Sequence, residues 1–440
     1  MSKEEKSQKK KLAKQLAACR TKQGLSKASL EHYLKVCGKQ FSKLLSSQQV
    51  QAEADRVWCG VERCLFGNGK ELHFKKLMDF DTIGGKSNKN GARFDLDAMY
   101  VNWLGLSLKC YLPKSENSLS YVWESLKGKI SYCNIKRLMF SSGWRYYAEI
   151  VVSGDAPTRV LIGTSTMGID PGVSTIAGVS EDACVLEELA PNAIQYEKKI
   201  QKISQSMDRS RRISNPNKYN ENGTINRSNR DPWKYSKNYV KMRRLLKALY
   251  RKKHAYIIDS HRELCNKLIT IAKYFPVEKM HFQALQKKTK EIRRQEKKTE
   301  VKQKDGTVKV IQKYKRKKRF GRSINRRAPA RFLLELERKA EAVGGVYAEV
   351  DTKEFKASQY NHVTDTYEKI PLSQREKEIG NRKVQRDLYS AFLIRNADLD
   401  FKHPDREKCE YEFEYFANLQ DQLILKMKES GLSMRQCFGF

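Results

Sequence analysis

The spacing of hydrophobic and polar positions changes along the chain, and its first third predicts two kinds of element. Residues 1–65 place leucine and aromatic side chains at helical intervals among polar residues, and Ser26 is suited to cap a helix that starts near Lys27. Alternating patterns then predict a strand at 106–112 and a hairpin whose arms are 130–140 and 144–152. We therefore predict a helical part at 1–65, followed by a β-barrel module at 66–160.

The remainder of the chain mixes helical and strand patterns. We predict, in order, a hairpin at 166–180, a polar loop at 208–232, a long amphipathic helix or helix pair at 234–274, a strand at 276–282, a helix at 329–343, a strand at 346–350, a helix at 385–396 and a mixed, helical tail at 400–440. This order is typical of an α/β domain built on a mixed sheet. The fold class expected for the whole chain is multidomain α+β.

Charge adds a partner class to this picture. The 440 residues include 87 Lys and Arg against 51 Asp and Glu, for a formal net charge of +36. Such an excess argues against an ordinary neutral enzyme and favours a polyanion, with nucleic acid ahead of an anionic membrane surface. The N-terminal residues lack the apolar region of a signal peptide, and no stretch is apolar enough to span a membrane. We expect a cytoplasmic protein of a bacterium, associated with the nucleoid when bound to DNA, and no membrane partner.

Two basic segments are candidates for nucleic-acid contact. Residues 287–327 hold 19 Lys or Arg and four acids, and residues 234–254 place nine basic side chains on the long helix. A solvated loop and a solvated helix face remain the alternatives. The candidate contacts are Lys241, Arg243, Arg244, Arg251, Lys315, Arg316, Lys317, Lys318, Arg319 and Arg322. The hairpin aromatics Trp144, Tyr146 and Tyr147 would suit base stacking, although their alternation predicts that Tyr146 or Tyr147 packs in the core.

Three acids are candidates for metal-dependent chemistry. A phosphodiester nuclease requires divalent cations held by carboxylates on rigid elements. Asp170 ends an apolar strand, Glu278 lies at the edge of the 276–282 strand, and Asp387 falls in the first turns of a helix. Each has a structural alternative: Asp170 as a turn cap, Glu278 as a surface acid paired with Lys279, and Asp387 as a favourable charge at a helix N-terminus.

The segments around these acids resemble a known family. Gly168-Ile169-Asp170-Pro171-Gly172-Val173, Val277-Glu278-Lys279-Met280 and 385–391 (Gln-Arg-Asp-Leu-Tyr-Ser-Ala) are similar to the three RuvC motifs of the transposon-encoded TnpB (OrfB) RNA-guided nucleases, relatives of the compact type V CRISPR effectors. Further similar segments are 66–70, 73–76, 316–321 and 357–362. The last of these adds Gln359 to the candidate nucleic-acid contacts.

The resemblance implies a function and a domain order. Asp170, Glu278 and Asp387 would be the catalytic triad of a RuvC, RNase H-like nuclease that binds two Mg²⁺ ions, for which Mn²⁺ would substitute. A bound guide RNA would pair with double-stranded target DNA beside a short protein-read motif, and one site would cut both strands. The domains would be a helical recognition part at 1–65, a wedge-like barrel at 66–160, the nuclease domain at 161–355 with its third motif at 385–400, an insert at 356–384 and a tail at 401–440.

Two alternatives remain at this point. One is an RNA-guided DNA binder or repressor whose nuclease is idle, and the other is a RuvC-like nuclease that works without a guide. The chain also departs from the family pattern, since the stretch 358–380, where a four-cysteine zinc element is expected, contains no cysteine. His362 alone cannot form a structural zinc site, so we predict a metal-free lid or hairpin and no zinc.

Overall fold

The computed structural model describes residues 3–67, 69, 71–75, 79–286, 294–302, 307–314, 320–371 and 374–432. The chain divides into two compact units, Met1–Pro157 and Thr158–Phe440. Both contain helices and strands, so the protein has a mixed α/β, multidomain architecture.

The first unit begins with three helices, as its sequence pattern predicts. They are α1 (Lys3–Lys22), α2 (Lys27–Lys39) and α3 (Ser47–Phe66). The predicted cap is confirmed, because the Ser26 hydroxyl accepts a hydrogen bond from the Ser29 N–H at 3.1 Å. Ser46 and Gln49 form a reciprocal capping box at the start of α3. These caps satisfy N–H groups that have no partner inside the helix.

The rest of the first unit contains a helix, α4 (Glu116–Leu126), and two small sheets. One sheet has the order β1 (Thr82–Ile83), β5 (Lys129–Phe140) and β6 (Gly143–Ser153), and the other has the order β2 (Arg93–Asp95), β3 (Tyr100–Trp103) and β4 (Leu106–Lys109). The predicted hairpin is confirmed as β5–β6. The predicted barrel is not seen as a closed sheet within the described residues. The two three-stranded sheets instead share one core that includes Phe94, Val101 and Cys133.

The aromatic side chains of β6 correct another prediction. Alternation along the hairpin predicts that Tyr146 or Tyr147 is buried, but they are 67% and 42% exposed. The ring of Tyr147 stacks with that of Phe140 across the hairpin, with centroids 6.4 Å apart. Alternation sorts side chains between the two faces of a strand, but it does not say whether anything covers each face.

A six-stranded mixed sheet organises the second unit. The path of the sheet is β10 (Cys184–Glu188), β9 (Thr175–Val179), β8 (Gly168–Pro171), β11 (Ala272–Glu278) and β14 (Val346–Val350), and β7 (Ser165–Thr166) also pairs with β11. Strands β8, β9 and β10 are antiparallel neighbours, whereas β11 runs parallel to β8 and to β14. The predicted hairpin at 166–180 is confirmed as β8–β9.

Helices cover both faces of this sheet. On one face, α6 (Lys237–Ile271) and α9 (Pro329–Ala342) pack on Ile169, Ile176 and Val277. On the other, α11 (Arg386–Arg395) and α12 (Arg406–Glu429) pack on Ala177 and Val179. Ile176 and Ala177 are consecutive residues of β9 that enter different cores, as expected of a strand buried on both faces. The long helix at 234–274 is thus confirmed as a single helix.

The polar stretch at 208–232 is only partly a loop, which corrects the prediction. The helix α5 (Ala193–Ser214) includes its first seven residues, and a 3₁₀ turn follows at Pro216–Lys218. Ala193, Ile200 and Met207 are buried along α5. Three apolar positions at seven-residue intervals suffice to bury a narrow stripe of helix among charged neighbours.

The basic stretch at 287–327 contains regular structure. A short helix, α7 (Phe282–Gln286), precedes it, and the antiparallel strands β12 (Arg294–Lys302) and β13 (Val308–Tyr314) form a hairpin within it. The helix α8 (Gly321–Arg327) ends at Ala328, which has φ of 49°.

The segment 356–384 forms two small hairpins after the short helix α10 (Thr352–Phe355). They consist of β15 (Tyr360–Asn361) with β16 (Thr366–Tyr367), and of β17 (Glu376–Ile379) with β18 (Arg382–Gln385). Tyr360 and Ile379 join the core that lies under α11. The buried Lys377 donates a hydrogen bond to the Tyr360 carbonyl at 2.6 Å. Apolar contacts and this internal hydrogen bond therefore order the segment.

The helical tail is confirmed as α12 (Arg406–Glu429). Phe413 and Phe416 are buried, while Tyr411 is 90% and Tyr415 55% exposed. In the described part of the chain, none of the helices combines the length and the apolar character needed to cross a bilayer.

Candidate active site

The register of β8 and β11 brings two of the three acids together. Val277 pairs with Ile169 between these parallel strands, and both side chains lie in the core under α6 and α9. Successive side chains of a strand point to opposite faces. Asp170 and Glu278 are the next residues on their strands and so share the opposite face, where their carboxyl groups form a hydrogen bond.

Helix α11 lies on that same face and carries the third acid in its first turn. Its approach depends on Gly168, because a Cβ atom there would lie 2.2 Å from the Ala391 carbonyl oxygen and 2.3 Å from the Arg395 nitrogen. With only hydrogen at this position, the helix backbone rests directly on β8. Asp387 is then close enough to affect the charge of both Asp170 and Glu278.

The acids influence one another's protonation. Burial raises the pKa of Asp170 well above its usual range, and the negative charges of Glu278 and Asp387 raise it further. Burial and then Asp387 also raise the pKa of Glu278, whereas the hydrogen bond from Asp170 works in the opposite direction. The two carboxyl groups therefore titrate as a coupled pair, a common response of crowded carboxyl groups.

The contacts bear on the structural alternatives for two of the acids. Lys279 forms its ion pair with Glu349 of β14 and not with Glu278. The N-terminus of α11 is capped by Gln385, whose side chain accepts a hydrogen bond from the Leu388 N–H at 2.7 Å. Asp387 is therefore not the cap of its helix, but it lies in the first turn, so the alternative of a favourable charge at the helix N-terminus stays open.

Two arginines that the sequence analysis did not single out hold Asp387. Arg375 donates to its Oδ2 at 3.1 Å. Arg386 donates to its Oδ1 from Nε at 3.1 Å and from Nη2 at 2.9 Å. Arg386 stands next to Asp387 in the chain and could have been suspected. Arg375 lies twelve positions earlier, and no local pattern links it to the acid.

The site offers carboxylate oxygens, which suit a hard cation, but they are not arranged as a set of metal ligands. Three carboxyl groups converge, and the pKa of two is raised by burial and by like charge, a cost that a cation would relieve. Within the described ranges, however, no group of three His, Cys, Asp or Glu residues is placed to hold a metal ion. In this structure the carboxylate of Asp387 accepts hydrogen bonds from Arg375 and Arg386.

The candidate nucleic-acid contacts fall in different settings. Lys241, Arg243 and Arg244 are exposed on α6, and Arg251 is half-buried. The Arg322 side chain is 80% exposed at the edge of an ion-pair network in which Glu197 pairs with Lys253 and Arg326. Gln359 is half-buried in the 356–384 segment. Lys315, Arg316, Lys317, Lys318 and Arg319 lie outside the described residues.

His362 has a structural position in the same segment. It is 1% exposed, and its Nδ1 lies 2.7 Å from the Tyr389 hydroxyl oxygen. Its ring also contacts Phe392 and Phe413. Burial lowers the pKa of His362 to about 4. The histidine is therefore neutral near pH 7 and packed among aromatic rings.

Comparisons with known proteins give only distant similarity. No protein-family model matches the chain, and no curated protein sequence matches it significantly. A cryo-EM structure of a Cas12f1–sgRNA–target DNA complex shares 13% identity over 86% of this chain and 77% of that chain, with a TM-score of 0.47. A cryo-EM structure of a CRISPR–Cas12f ternary complex shares 14% identity over 86% of this chain and 75% of that chain, with a TM-score of 0.29. Similarity at this level does not assign the chain to a family.

Proposed function

We propose that this chain is an RNA-guided DNA endonuclease with a single RuvC-type site formed by Asp170, Glu278 and Asp387. The observation that supports it most is the convergence of these three acids, which are separated by more than 100 positions at each step, on one face of a mixed sheet. Burial and neighbouring acids that are distant in sequence raise the pKa of Asp170 and Glu278, and such perturbed groups are typical of functional sites.

The three side chains divide the work of the proposed site. Asp170 and Glu278 come from adjacent strands, and their coupled carboxyl groups would hold the cation from the side of the sheet. Asp387 reaches the same place from α11, and Arg386 fixes its carboxylate from one side. Mg²⁺, when bound, would activate the attacking water and neutralise charge on the scissile phosphate.

Guide RNA and double-stranded target DNA are the proposed partners, with base pairing selecting the target. This part rests on the resemblance of the three motifs and their flanking segments to TnpB proteins, and on the net charge of +36. The exposed Lys241, Arg243 and Arg244 on α6 would contact phosphates. In this assignment residues 161–355 and 385–400 form the nuclease domain and 356–384 form a zinc-free insert.

The first test is to sequence the RNA that co-purifies with protein expressed beside its native flanking DNA. We expect one abundant species with a constant scaffold and a variable end. The variable end names a target, and cleavage of that target should require Mg²⁺. Asp170→Ala, Glu278→Ala and Asp387→Ala should each abolish cutting while leaving RNA-dependent DNA binding nearly intact.

Other outcomes point to the alternatives. Heterogeneous RNA together with metal-dependent cutting would favour a guide-free RuvC-like nuclease. Defined RNA and tight DNA binding without cleavage would favour an RNA-guided repressor. Loss of binding in all three variants would mean that the acids are structural.

A further inference from the structure

The carboxylate of Asp387 has no free hydrogen-bonding capacity in this structure. Its Oδ1 accepts two hydrogen bonds from Arg386, and its Oδ2 accepts one from Arg375 and a long one, 3.5 Å, from the Gln385 side-chain amide. A carboxylate offers about four acceptor positions in all. Any cation that binds Asp387 must therefore displace one of these donors.

The two arginines differ in how firmly they are held. Arg386 is 8% exposed and also donates to the Gln374 carbonyl at 3.2 Å. The Arg375 side chain is 42% exposed and contributes a single 3.1 Å contact to Asp387. An exposed ion pair is worth little compared with a buried, multiply bonded one, because water replaces the lost partner. Of the two arginines, Arg375 thus costs less to displace.

The position of Arg375 links it to the neighbouring segment. It directly precedes β17 of the 356–384 segment, and its carbonyl accepts the Arg386 N–H at 2.8 Å. The backbone is therefore tied to the start of α11 while the guanidinium stays accessible to water. This arrangement lets the side chain leave Asp387 without disturbing the helix.

We propose that Arg375 is a positioning residue that holds Asp387 when no metal is bound and thereby sets the affinity of the site for divalent cations. The proposal rests on the proposed role of Asp387 as a metal ligand. Arg375 competes with the cation for Oδ2, so its removal tightens metal binding, whereas a purely structural arginine would leave the affinity unchanged or weaken it.

Titration of the metal-free, full-length protein with Mn²⁺, followed by calorimetry or by the EPR signal of free Mn²⁺, tests this directly. We expect Arg375→Gln to tighten Mn²⁺ binding by about threefold to tenfold, as displacement of a partly exposed charged donor predicts. The Mn²⁺ affinity of Arg375→Lys should lie between that of the wild type and that of Arg375→Gln. The matched control is Arg382→Gln, which removes an arginine of the same segment that pairs with Glu414 and should leave the affinity unchanged.

Asp387→Asn separates failure of this proposal from failure of the proposed function. If wild-type binding depends on Asp387 but Arg375→Gln leaves it unchanged or weakens it, the competition is wrong and the metal site stands. If no Mn²⁺ binding depends on Asp387 in either background, both proposals fail. Thermal unfolding of each variant identifies losses that come from misfolding.

Discussion

The two faces of the sheet in the second unit differ sharply where β8 and β11 meet. Ile169 and Val277 face α6 and α9, where both are 0% exposed in an apolar core. The next residue on each strand, Asp170 or Glu278, faces α11, and the two carboxyl groups form a hydrogen bond. One register therefore places a hydrophobic pair on one face and a pair of acidic groups on the other. The hydrophobic pair stabilises the strand alignment on which the acidic pair depends.

The acids on this face also differ in the groups that surround them. Burial raises the pKa of both Asp170 and Glu278, and the negative charge of Asp387 raises each further. Asp387 has two guanidinium groups within hydrogen-bonding distance. The strand acids are thus ready to accept a cation, whereas the helix acid already has cationic partners. The following predictions test this difference.

The largest expected effect is on cleavage. Glu278→Gln keeps the shape of the side chain but removes a charge, and we expect cleavage of guide-matched DNA to fall at least about a thousandfold, equivalent to about 4 kcal/mol of transition-state stabilisation. The matched control is Glu349→Gln, which alters the glutamate paired with Val277 on the next strand. That variant should cut at nearly the wild-type rate. Equal losses of cleavage rate in both variants would show that Glu278 has no specific role in cleavage.

The next effect concerns the contact between α11 and the sheet. Gly168→Ala places a Cβ atom 2.2 Å from a backbone carbonyl oxygen of α11, which cannot be relieved by a side-chain rotation. We expect the free energy of unfolding to fall by about 2–3 kcal/mol, measured by urea denaturation. Gly178→Ala is the control, because there the nearest atom is the flexible Met167 sulfur at 3.1 Å. A cost no greater than that of Gly178→Ala would contradict the close approach of α11.

The sequence predicts those elements that are marked by a pattern of neighbouring residues. The hairpin β5–β6, the Ser26 cap and the strand at 346–350 follow from alternation and capping patterns that need no knowledge of the rest of the chain. The candidate acids were found through motifs that include their immediate neighbours. The sequence pattern does not predict helix α5, because its buried stripe consists of only three apolar positions, spaced seven residues apart.

Features that depend on distant contacts could not be predicted. The barrel was expected from strand content, but closure depends on which edges pair, and the strands formed two separate sheets. The exposure of Tyr146 depends on what covers that face of β6, which no alternation pattern reveals. Arg375 reaches Asp387 only because β17 and β18 fold back on each other. Local patterns thus identify candidate groups, and tertiary contacts decide their partners.

The pH dependence of stability should report both faces of the sheet. His261 packs on Phe332 on the α6 side and His362 packs under α11, and burial lowers the pKa of each to about 4. Because an unfolded histidine titrates near 6.5, the unfolded chain takes up these protons first as pH falls. Their contribution to stability is complete above pH 6.5 and is lost progressively toward pH 4.

Each buried histidine should lower the free energy of unfolding at pH 5 by about 2 kcal/mol relative to pH 7.5. Replacing either by an uncharged residue, as in His261→Leu or His362→Gln, should remove its share of that loss, and the double variant should remove both. Urea unfolding at the two pH values measures the difference. The exposed His73 provides the control through His73→Gln, which should leave the pH dependence unchanged. An unchanged pH dependence in the double variant would contradict the burial of both rings as neutral groups.

The smallest effect tests the crowding of the strand acids in the metal-free protein. Asp170→Asn mimics the protonated acid and keeps a donor toward Glu278, so it should raise stability at pH 7.5 by about 1 kcal/mol. Because the pKa of Asp170 is raised in the folded protein, this acid lowers the stability of the wild type only at pH values where it ionises in the unfolded chain. The gain should therefore shrink as pH falls and vanish below about pH 4, where the acid is protonated in the unfolded chain as well.

Asp182→Asn, at an exposed aspartate before β10, should show no such pH-dependent gain. If Asp170→Asn instead destabilises the protein at pH 7.5, the carboxylate at 170 has favourable partners, and the contrast between the strand acids and Asp387 is wrong. If it stabilises the protein while abolishing cleavage, the same side chain lowers stability and supports catalysis. That result is expected of a carboxyl group kept beside like charges because a cation binds there during the reaction.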